Sequence, residues 1–337
     1  MKRFQTQSKN LKQWLLSYRS LMMIALVAVM TACGGAKENN DETNKDSAKT
    51  TTDNNARVKD FTPSAMLDDK ALYKTKEYEG LDSAMMEPEK VFRLTLIDAG
   101  LKTLPQKITA LKNVQSLSLD SNPDLDMKQA IGLLAQLPNL QELSLSDDSL
   151  KTLPEEIKQL TNLHSIWLNN NPKLDYAQAF KVLSTLPKLT EVSFIVNDLK
   201  ELPAEVGQMK NLKKLVMSYN KFPGLPGSIS QLQNLEFVDL SFNDTLDVEK
   251  AIDELAKIKG LKSLYISKCN IKKVPDNIAK LENLETLFLN NNPFKTLPFA
   301  MKKLKKLKTL SILSHQLEPP ALAGLDKLFE QKVNIMK

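Results

Sequence analysis

The sequence predicts an α/β solenoid, in which short coils of chain stack along one axis and share a parallel sheet. The first observation is a repeated skeleton with apolar residues at relative positions 1, 4, 6 and 12 and most often Asn at position 9. The second is a regular period, because successive units begin 23 or 26 residues apart. Such a period is typical of stacked repeats rather than of a globule. The ten units begin at Val91, Val114, Leu140, Leu163, Leu189, Leu212, Leu235, Leu261, Leu284 and Leu307.

Each unit begins with a predicted strand that has one apolar side. In the third unit the inward positions are Leu143 and Leu145, and the outward positions are Glu142, Ser144 and Ser146. One short strand cannot bury its apolar side alone. Stacking the units therefore predicts a parallel sheet over a continuous core.

Position 9 turns the chain out of the strand. A buried amide there can pair with backbone groups of the turn and of neighbouring coils, which would otherwise stay unsatisfied. Cys269 holds this position in its unit, whereas Asp148, Ala99 and His315 depart from the pattern. Ala99 and His315 fall in the first and last units, which are often atypical in repeat proteins. The amides are Asn122, Asn171, Asn197, Asn220, Asn243 and Asn292.

The two unit lengths predict two kinds of segment on the opposite side of the coil. The 23-residue units carry Leu-Pro-x-x-Ile-x-x-Leu, as from Leu153 to Leu160. Because Pro limits regular helix, we expect a 3₁₀ turn or a short helix there. The 26-residue units place an Asp as a helix N-cap, at Asp126, Asp175 and Asp247, ahead of apolar residues at helical spacing.

The unit Leu-x-x-Leu-x-Leu-x-x-Asn-x-Leu resembles the leucine-rich repeat family over residues 81–320. The resemblance implies a curved horseshoe, with the parallel sheet on its concave face and mixed short turns and helices on its convex face. It also implies that Cys is tolerated at position 9. We assign the ten units to residues 91–317, an N-terminal cap to 60–90 and a C-terminal cap to 318–337, because both edges of a parallel sheet need cover.

Residues 1–32 are predicted to be a lipoprotein signal peptide. Basic residues precede the apolar run 21–30, which is too short to span a membrane comfortably. The sequence Met30-Thr31-Ala32-Cys33-Gly34 resembles a bacterial lipobox, with Met30 in place of the usual Leu. The resemblance implies cleavage before Cys33, a diacylglycerol thioether on its sulfur and a fatty acyl group, such as palmitate, on its new amine. The alternative is an uncleaved N-terminal anchor with an incidental Cys.

Residues 33–59 are predicted to be a disordered tether, because they are rich in Asn, Asp, Lys and Thr and poor in large apolar residues. The charged pairs Lys37-Glu38 and Asp41-Glu42 resemble the surface-export signal of certain Gram-negative lipoproteins, although an ordinary solvated linker is the alternative. We therefore expect a lipid-anchored protein of the bacterial cell envelope, in the outer membrane. Periplasmic and outer-surface display both stay open.

Composition and motifs argue against nucleic-acid binding and against catalysis. The formal charge is +6, but loss of the signal peptide leaves 41 basic against 40 acidic residues. The two histidines, His164 and His315, lie in separate units without a nucleophile at a useful spacing. A calcium-binding loop that begins at Asp120 is excluded, because its sixth residue would be Leu125 instead of Gly and its twelfth would be Ile131 instead of Glu. We expect the protein to be non-enzymatic and to bind neither a metal ion nor a cofactor.

Residues 301–308 form the densest basic run. Leu304 and Leu307 keep the repeat register, so most of the lysines are predicted to lie on a solvated convex side. Contact with anionic headgroups, a glycan or another polyanion is the alternative.

Outward strand positions 3, 5 and 7 predict a candidate binding surface on the concave face. The N-terminal units place small and acidic residues there, whereas later units place aromatic residues beside polar ones, a composition common in recognition surfaces. The candidate ligand-binding residues are Trp167, Asn169, Phe237, Asp239, Tyr265, Phe288 and Asn290, with Tyr219 and Phe242 at position 8 on the rim. The alternative is that the aromatic rings pack on each other and bind nothing.

These observations predict a non-enzymatic, lipid-anchored monomer that binds an unknown protein or peptide through its concave face. A cell-envelope or adhesion scaffold that binds glycan through the same aromatic residues is the alternative function.

Overall fold

A computed structural model describes residues 66–337, without the side chain of Asp326. The predicted signal peptide (1–32), Cys33, the predicted tether (33–59) and the first residues of the predicted N-terminal cap lie outside the described residues. Within residues 66–337, no helix combines the length and the apolar character that crossing a bilayer requires.

Short parallel strands form one open sheet along the described chain, and each strand pairs with the next one in sequence. The strand register is the same from one pairing to the next. Leu143, for example, lies between Leu117 and Ile166 of the neighbouring strands. The inward apolar residues therefore stack in line. The twelve strands are β1 (Glu77–Glu79), β2 (Arg93–Thr95), β3 (Ser116–Ser118), β4 (Glu142–Ser144), β5 (Ser165–Trp167), β6 (Glu191–Ser193), β7 (Lys214–Val216), β8 (Phe237–Asp239), β9 (Ser263–Tyr265), β10 (Thr286–Phe288), β11 (Thr309–Ser311) and β12 (Asn334–Met336).

The 23-residue units form 3₁₀ turns on the convex side, as predicted. Each turn directly follows the Pro, whose extended backbone precedes the first turn residue, as at Pro154. The turns span Gln106–Ala110, Glu155–Gln159, Ala204–Gln208, Gly227–Gln231, Asp276–Lys280 and Phe299–Lys303.

The 26-residue units form eight-residue α-helices instead, and the predicted N-caps are confirmed. The carboxylate of Asp175 accepts a hydrogen bond of 3.0 Å from the Gln178 backbone N–H. Asp126 and Asp247 cap their helices in the same way. Among helices in the described chain, α1 (Asp69–Leu72) and α2 (Leu81–Ala84) precede the units, α3 (Met127–Leu134), α4 (Tyr176–Leu183) and α5 (Val248–Leu255) lie within them, and α6 (Pro319–Ala323) follows them.

The asparagines at position 9 form a buried ladder along the solenoid. The Asn220 side-chain oxygen accepts from the backbone N–H groups of Asn197 (3.1 Å) and Leu199 (3.0 Å). Its amide nitrogen donates to the carbonyl oxygens of Phe194 (2.8 Å) and Met217 (3.0 Å). One side chain thus satisfies backbone groups in two coils, which explains why the unit requires an amide here.

Each predicted cap contributes a strand to the sheet, although neither cap carries the repeat pattern. Tyr78 of β1 is buried between the exposed Glu77 and Glu79. At the other end, β12 pairs with β11 through Ile335 and Leu310. The predicted C-terminal cap also contains α6 and a 3₁₀ turn at Leu325–Lys327, and Gly324 lies between them.

Candidate binding face

Three of the four candidate aromatic residues come together on adjacent strands of the concave face. Phe288 pairs with Tyr265 in the strand register, and their rings stack with centroids 4.1 Å apart and planes 4° apart. The ring of Phe237 meets Tyr265 edge to face at 4.8 Å. These residues form a continuous aromatic row along β8, β9 and β10.

The aromatic row is half-buried rather than sequestered, since all three rings keep part of their surface in contact with water. Burial raises the pKa of Tyr265 to about 12, and the neighbouring Asp239 adds to this effect. The Tyr265 hydroxyl is therefore neutral at physiological pH and can donate a hydrogen bond to a ligand. The Lys214 ammonium lies 5.5 Å from the Phe237 ring centroid and is paired with Glu191 at 2.7 Å.

A second pair of rings lies on the rim, one in the unit of Phe237 and one in the unit before it. Tyr219 and Phe242 stack with centroids 3.8 Å apart and planes 12° apart, and we call them the rim pair. Both have a left-handed backbone, with φ of 59° and 60°, which bulky residues seldom adopt. The Lys268 ammonium lies 5.2 Å from the Phe242 ring centroid.

Trp167 lies apart from the aromatic row. It belongs to β5, where it pairs with Ser144 and Ser193 of the flanking strands, and it is half-buried. Strands β6 and β7 separate it from Phe237. The concave face therefore offers two aromatic regions rather than one.

The polar candidates are engaged within the protein. The Asn169 side-chain oxygen accepts from the Ile195 backbone N–H at 2.8 Å, and the Asn290 oxygen accepts from the Leu313 N–H at 2.7 Å. Each bond satisfies an N–H of the next unit just beyond the strand. Ligand contact by these two residues stays a prediction, although their oxygens already have a structural role.

The prediction that Asp239 lies exposed beside the aromatic residues is wrong. Its relative exposure is 1%, and its carboxylate accepts a 2.8 Å hydrogen bond from the Ser241 backbone N–H. Asp239 lies between Val216 and Tyr265 in the strand register, and periodicity alone does not show that it is buried there.

The expected exposure of outward residues at the N-terminal end of the concave face is also wrong, because all five are buried: Ser116, Ser118, Glu142, Ser144 and Ser146. Part of this end is covered by the chain itself. The segment Met66–Tyr73 crosses these units. The Gln115 side chain, which is fully buried, accepts from the Leu67 N–H at 2.8 Å and donates to the Leu67 carbonyl at 3.0 Å. The Tyr73 hydroxyl donates to Glu142 at 2.6 Å. Sequence periodicity carried no signal for contacts that span 48 and 69 residues.

Asp148 is a buried acid within the asparagine ladder. Its Oδ1 accepts from the Asn122 backbone N–H at 2.6 Å, whereas its Oδ2 is buried without a hydrogen-bond partner. Burial is the main cause that raises the pKa of Asp148 to about 8, and the negative charges of Asp120 and Asp147 add to it. At neutral pH the carboxyl group is therefore mostly protonated, so it has a donor and an acceptor oxygen, although it has one fewer donor hydrogen than the Asn amide.

No catalytic constellation forms among the described residues. His164 bonds to the backbone carbonyl of Asn162 at 2.7 Å, and His315 accepts from the Leu317 N–H at 3.2 Å. Burial raises the pKa of the Cys269 thiol to about 12, and the thiol donates to the Leu240 carbonyl as a ladder residue. Within residues 66–337, no three His, Cys, Asp or Glu side chains are grouped so that they could hold a metal ion.

Comparisons with known proteins agree with the geometry of the fold. A family model described as Leucine Rich repeats (2 copies) matches residues 259–300. The structure is similar to the crystal structure of an internalin from Listeria monocytogenes, with a TM-score of 0.55 and 21% identity over 79% of this chain and 74% of the internalin. This chain has the leucine-rich repeat fold.

Two further solved structures are similar to this chain. TLR13, in the crystal structure of its complex with ssRNA13, gives a TM-score of 0.56 and 26% identity over 73% of this chain. The match covers 39% of the TLR13 chain, so this chain spans well under half of it. A leucine-rich repeat protein of Leptospira interrogans is 26% identical over 78% of this chain and 100% of its own, with a TM-score of 0.33. No curated protein sequence matches the chain.

Proposed function

We propose that this chain is a non-enzymatic, lipid-anchored leucine-rich repeat protein of the bacterial cell envelope. It binds a protein or peptide, as a monomer, through the aromatic row and Trp167 on its concave face. The leucine-rich repeat fold itself suggests protein–protein binding. Lipid attachment at Cys33 rests on the sequence motif alone.

The binding proposal rests on the residues that occupy position 5, the middle outward position of each strand. Four units place Ser there, at Ser118, Ser144, Ser193 and Ser311, and each is at most 2% exposed. The fold therefore does not require a large side chain at this position. Trp167, Tyr265 and Phe288 nevertheless place large, half-buried rings there, which supports recognition rather than folding.

The stacking of the rings favours a protein or peptide over a glycan. A sugar packs its C–H groups on the face of an aromatic ring, because the face carries the negative part of the ring quadrupole. Tyr265 and Phe288 each cover one face of the other, as do Tyr219 and Phe242. Fewer faces are thus open to a sugar, whereas side chains of a protein can still pack against the row.

The proposal is tested by replacing Trp167, Tyr265 and Phe288 together with Ala. Proximity labelling and crosslinking on intact cells first identify a partner, and affinity is then measured with the purified full chain. Loss of a well-packed aromatic anchor costs about 2 kcal/mol or more, so the triple variant should lose at least about 100-fold in affinity. Phe299→Ala is the matched control, because Phe299 is an exposed aromatic residue on the convex side. Unchanged affinity in the triple variant would refute the concave-face proposal.

The anchor and its location are tested separately. Mass spectrometry of the mature N-terminus should find Cys33 acylated, and Cys33→Ala should release the protein from the membrane fraction. Protease shaving of intact cells distinguishes outer-surface from periplasmic display. An unmodified Cys33 in the membrane-bound protein would overturn the anchor and leave the binding proposal intact.

A further inference from the structure

One convex turn differs from its equivalents in the other units. The 3₁₀ turn Phe299–Lys303 begins with a Phe that is 70% exposed. The other 3₁₀ turns of the repeats begin with polar or small residues, namely Gln106, Glu155, Ala204, Gly227 and Asp276. The fold therefore does not require an aromatic residue at this position, and an exposed Phe has an unfavourable contact with water.

Two lysines accompany Phe299 on the same turn. The Lys302 ammonium lies 3.9 Å from the Phe299 ring centroid, and Lys303 is exposed. Neither lysine has an ion-pair partner within residues 66–337, whereas Lys305 pairs with Glu330 at 2.7 Å. Residues 286–317 contain six Lys and no Asp or Glu. Glu330, which pairs with Lys305, is close enough to Lys302 for the charge of that lysine to lower the pKa of Glu330, so the turn keeps an excess of positive charge beside an exposed apolar side chain.

We propose that the turn Phe299–Lys303 docks on a lipid bilayer that carries anionic headgroups. Lysines near such a surface are attracted by its negative potential, and an aromatic ring enters the boundary between headgroups and acyl chains. The aliphatic part of a Lys side chain packs on apolar groups while its ammonium stays at the headgroups. A soluble polyanion would use the lysines but would have no use for Phe299, so the combination favours a lipid surface.

This inference goes beyond the proposed binding function and is compatible with it. The turn lies on the convex side of its unit, and the aromatic row lies on the sheet. A bilayer under the turn therefore leaves the aromatic row open to a partner. The contact also does not depend on acylation of Cys33.

The test uses the full chain with Phe299→Trp as a reporter. Its fluorescence is taken as the difference from the wild-type chain, so that Trp14 and Trp167 cancel. Vesicles contain either phosphatidylcholine alone or equal parts of phosphatidylcholine and phosphatidylglycerol. With the anionic vesicles, the emission should shift to shorter wavelength, brominated lipids should quench it, and acrylamide should quench it less. A reporter at position 299 reads this turn alone, whichever other part of the chain attaches to the vesicles.

Two controls make the result specific. Glu155→Trp places the same reporter at the equivalent position of the third unit, where it should stay accessible to acrylamide with both vesicles. Adding Lys302→Gln and Lys303→Gln should lower the docked-to-undocked ratio by about 25-fold, since each Lys contributes about a fivefold attraction near an anionic surface.

The proposal is overturned if the reporter at position 299 stays equally accessible with both kinds of vesicle. It is also overturned if soluble polyphosphate protects the reporter as well as the anionic vesicles do, because the lysines would then recognise polyanions in general. Circular dichroism melts of each variant establish that the repeats remain folded.

Discussion

Asp148 makes the stability of the solenoid depend on pH in a way that can be isolated by one substitution. It occupies a position of the buried ladder where six other units carry Asn, and its relative exposure is 2%. A deprotonated Asp148 would hold a charge that is buried away from water and repelled by Asp120 and Asp147, so the folded state favours the protonated acid. Asp148→Asn keeps the shape and removes the titration.

The magnitude follows from proton linkage. The folded state raises the pKa of Asp148 from 3.8 to about 8. Between these values the folded state binds about one more proton at this site than the unfolded state does, so stability falls as pH rises. The contribution of Asp148 to the free energy of unfolding should fall by about 1.4 kcal/mol per pH unit, or about 3 kcal/mol from pH 5 to pH 7. Above the folded pKa the loss is complete.

The assay is urea unfolding of the wild-type chain and of Asp148→Asn, followed by circular dichroism across this pH range. The two chains differ only at Asp148, so the difference between the two curves reports the titration of Asp148 together with its electrostatic coupling to Asp120 and Asp147. That difference should grow with pH and favour Asp148→Asn. Asn171→Asp offers the converse test, because it should introduce a second pH-dependent loss of the same sign. Parallel curves for the wild-type chain and Asp148→Asn would refute the reasoning.

Three further predictions concern the scaffold. Asn220→Ala leaves buried backbone groups of two coils unsatisfied and should lower the free energy of unfolding by about 3 kcal/mol or more in urea titrations; a cost under about 1 kcal/mol would contradict the ladder. Asp175→Ala removes the N-cap of α4 and should cost about 1 kcal/mol in the same assay, whereas Asp175→Asn should cost little. Gln115→Ala should speed protease cleavage within Met66–Tyr73, and the exposed Gln233→Ala should not; equal rates would show that Gln115 does not hold the segment.

The repeat units were predictable from sequence because every coil is constrained by an identical neighbour. Inward residues such as Leu143 must match Leu117 and Ile166, so the pattern repeats at each unit and can be counted. The same holds for the N-cap Asp175, whose carboxylate bonds locally to Gln178. Local hydrogen bonds and nearest-neighbour packing leave a periodic trace in the sequence.

The candidate face was only partly predictable because its environment is set by residues distant in sequence. Both Tyr265 and Asp239 occupy position 5, so the repeat pattern predicts that both point outward. In the structure Tyr265 is half-buried in the aromatic row, whereas Asp239 is fully buried. The cover over Gln115 comes from Leu67, which lies outside the periodic region. Side-chain size on adjacent strands decides exposure, and no repeat rule fixes that size.

The rim pair extends the argument that function, rather than folding, selected the aromatic residues. Position 8 has a left-handed backbone in every unit, and other units place Asp98, Asn170 or Asn291 there. A left-handed backbone destabilises a bulky residue by about 1–2 kcal/mol, whereas a stacked pair of rings stabilises the fold by about 0.5–1.5 kcal/mol. The double substitution Tyr219→Asn with Phe242→Asn relieves backbone strain at two residues and removes one ring contact, so it should not lower the free energy of unfolding. If the rim takes part in recognition, the same variant should bind the crosslinked partner at least about tenfold more weakly, which corresponds to about 1.4 kcal/mol. A large loss of stability with unchanged affinity would show instead that the rings serve the fold.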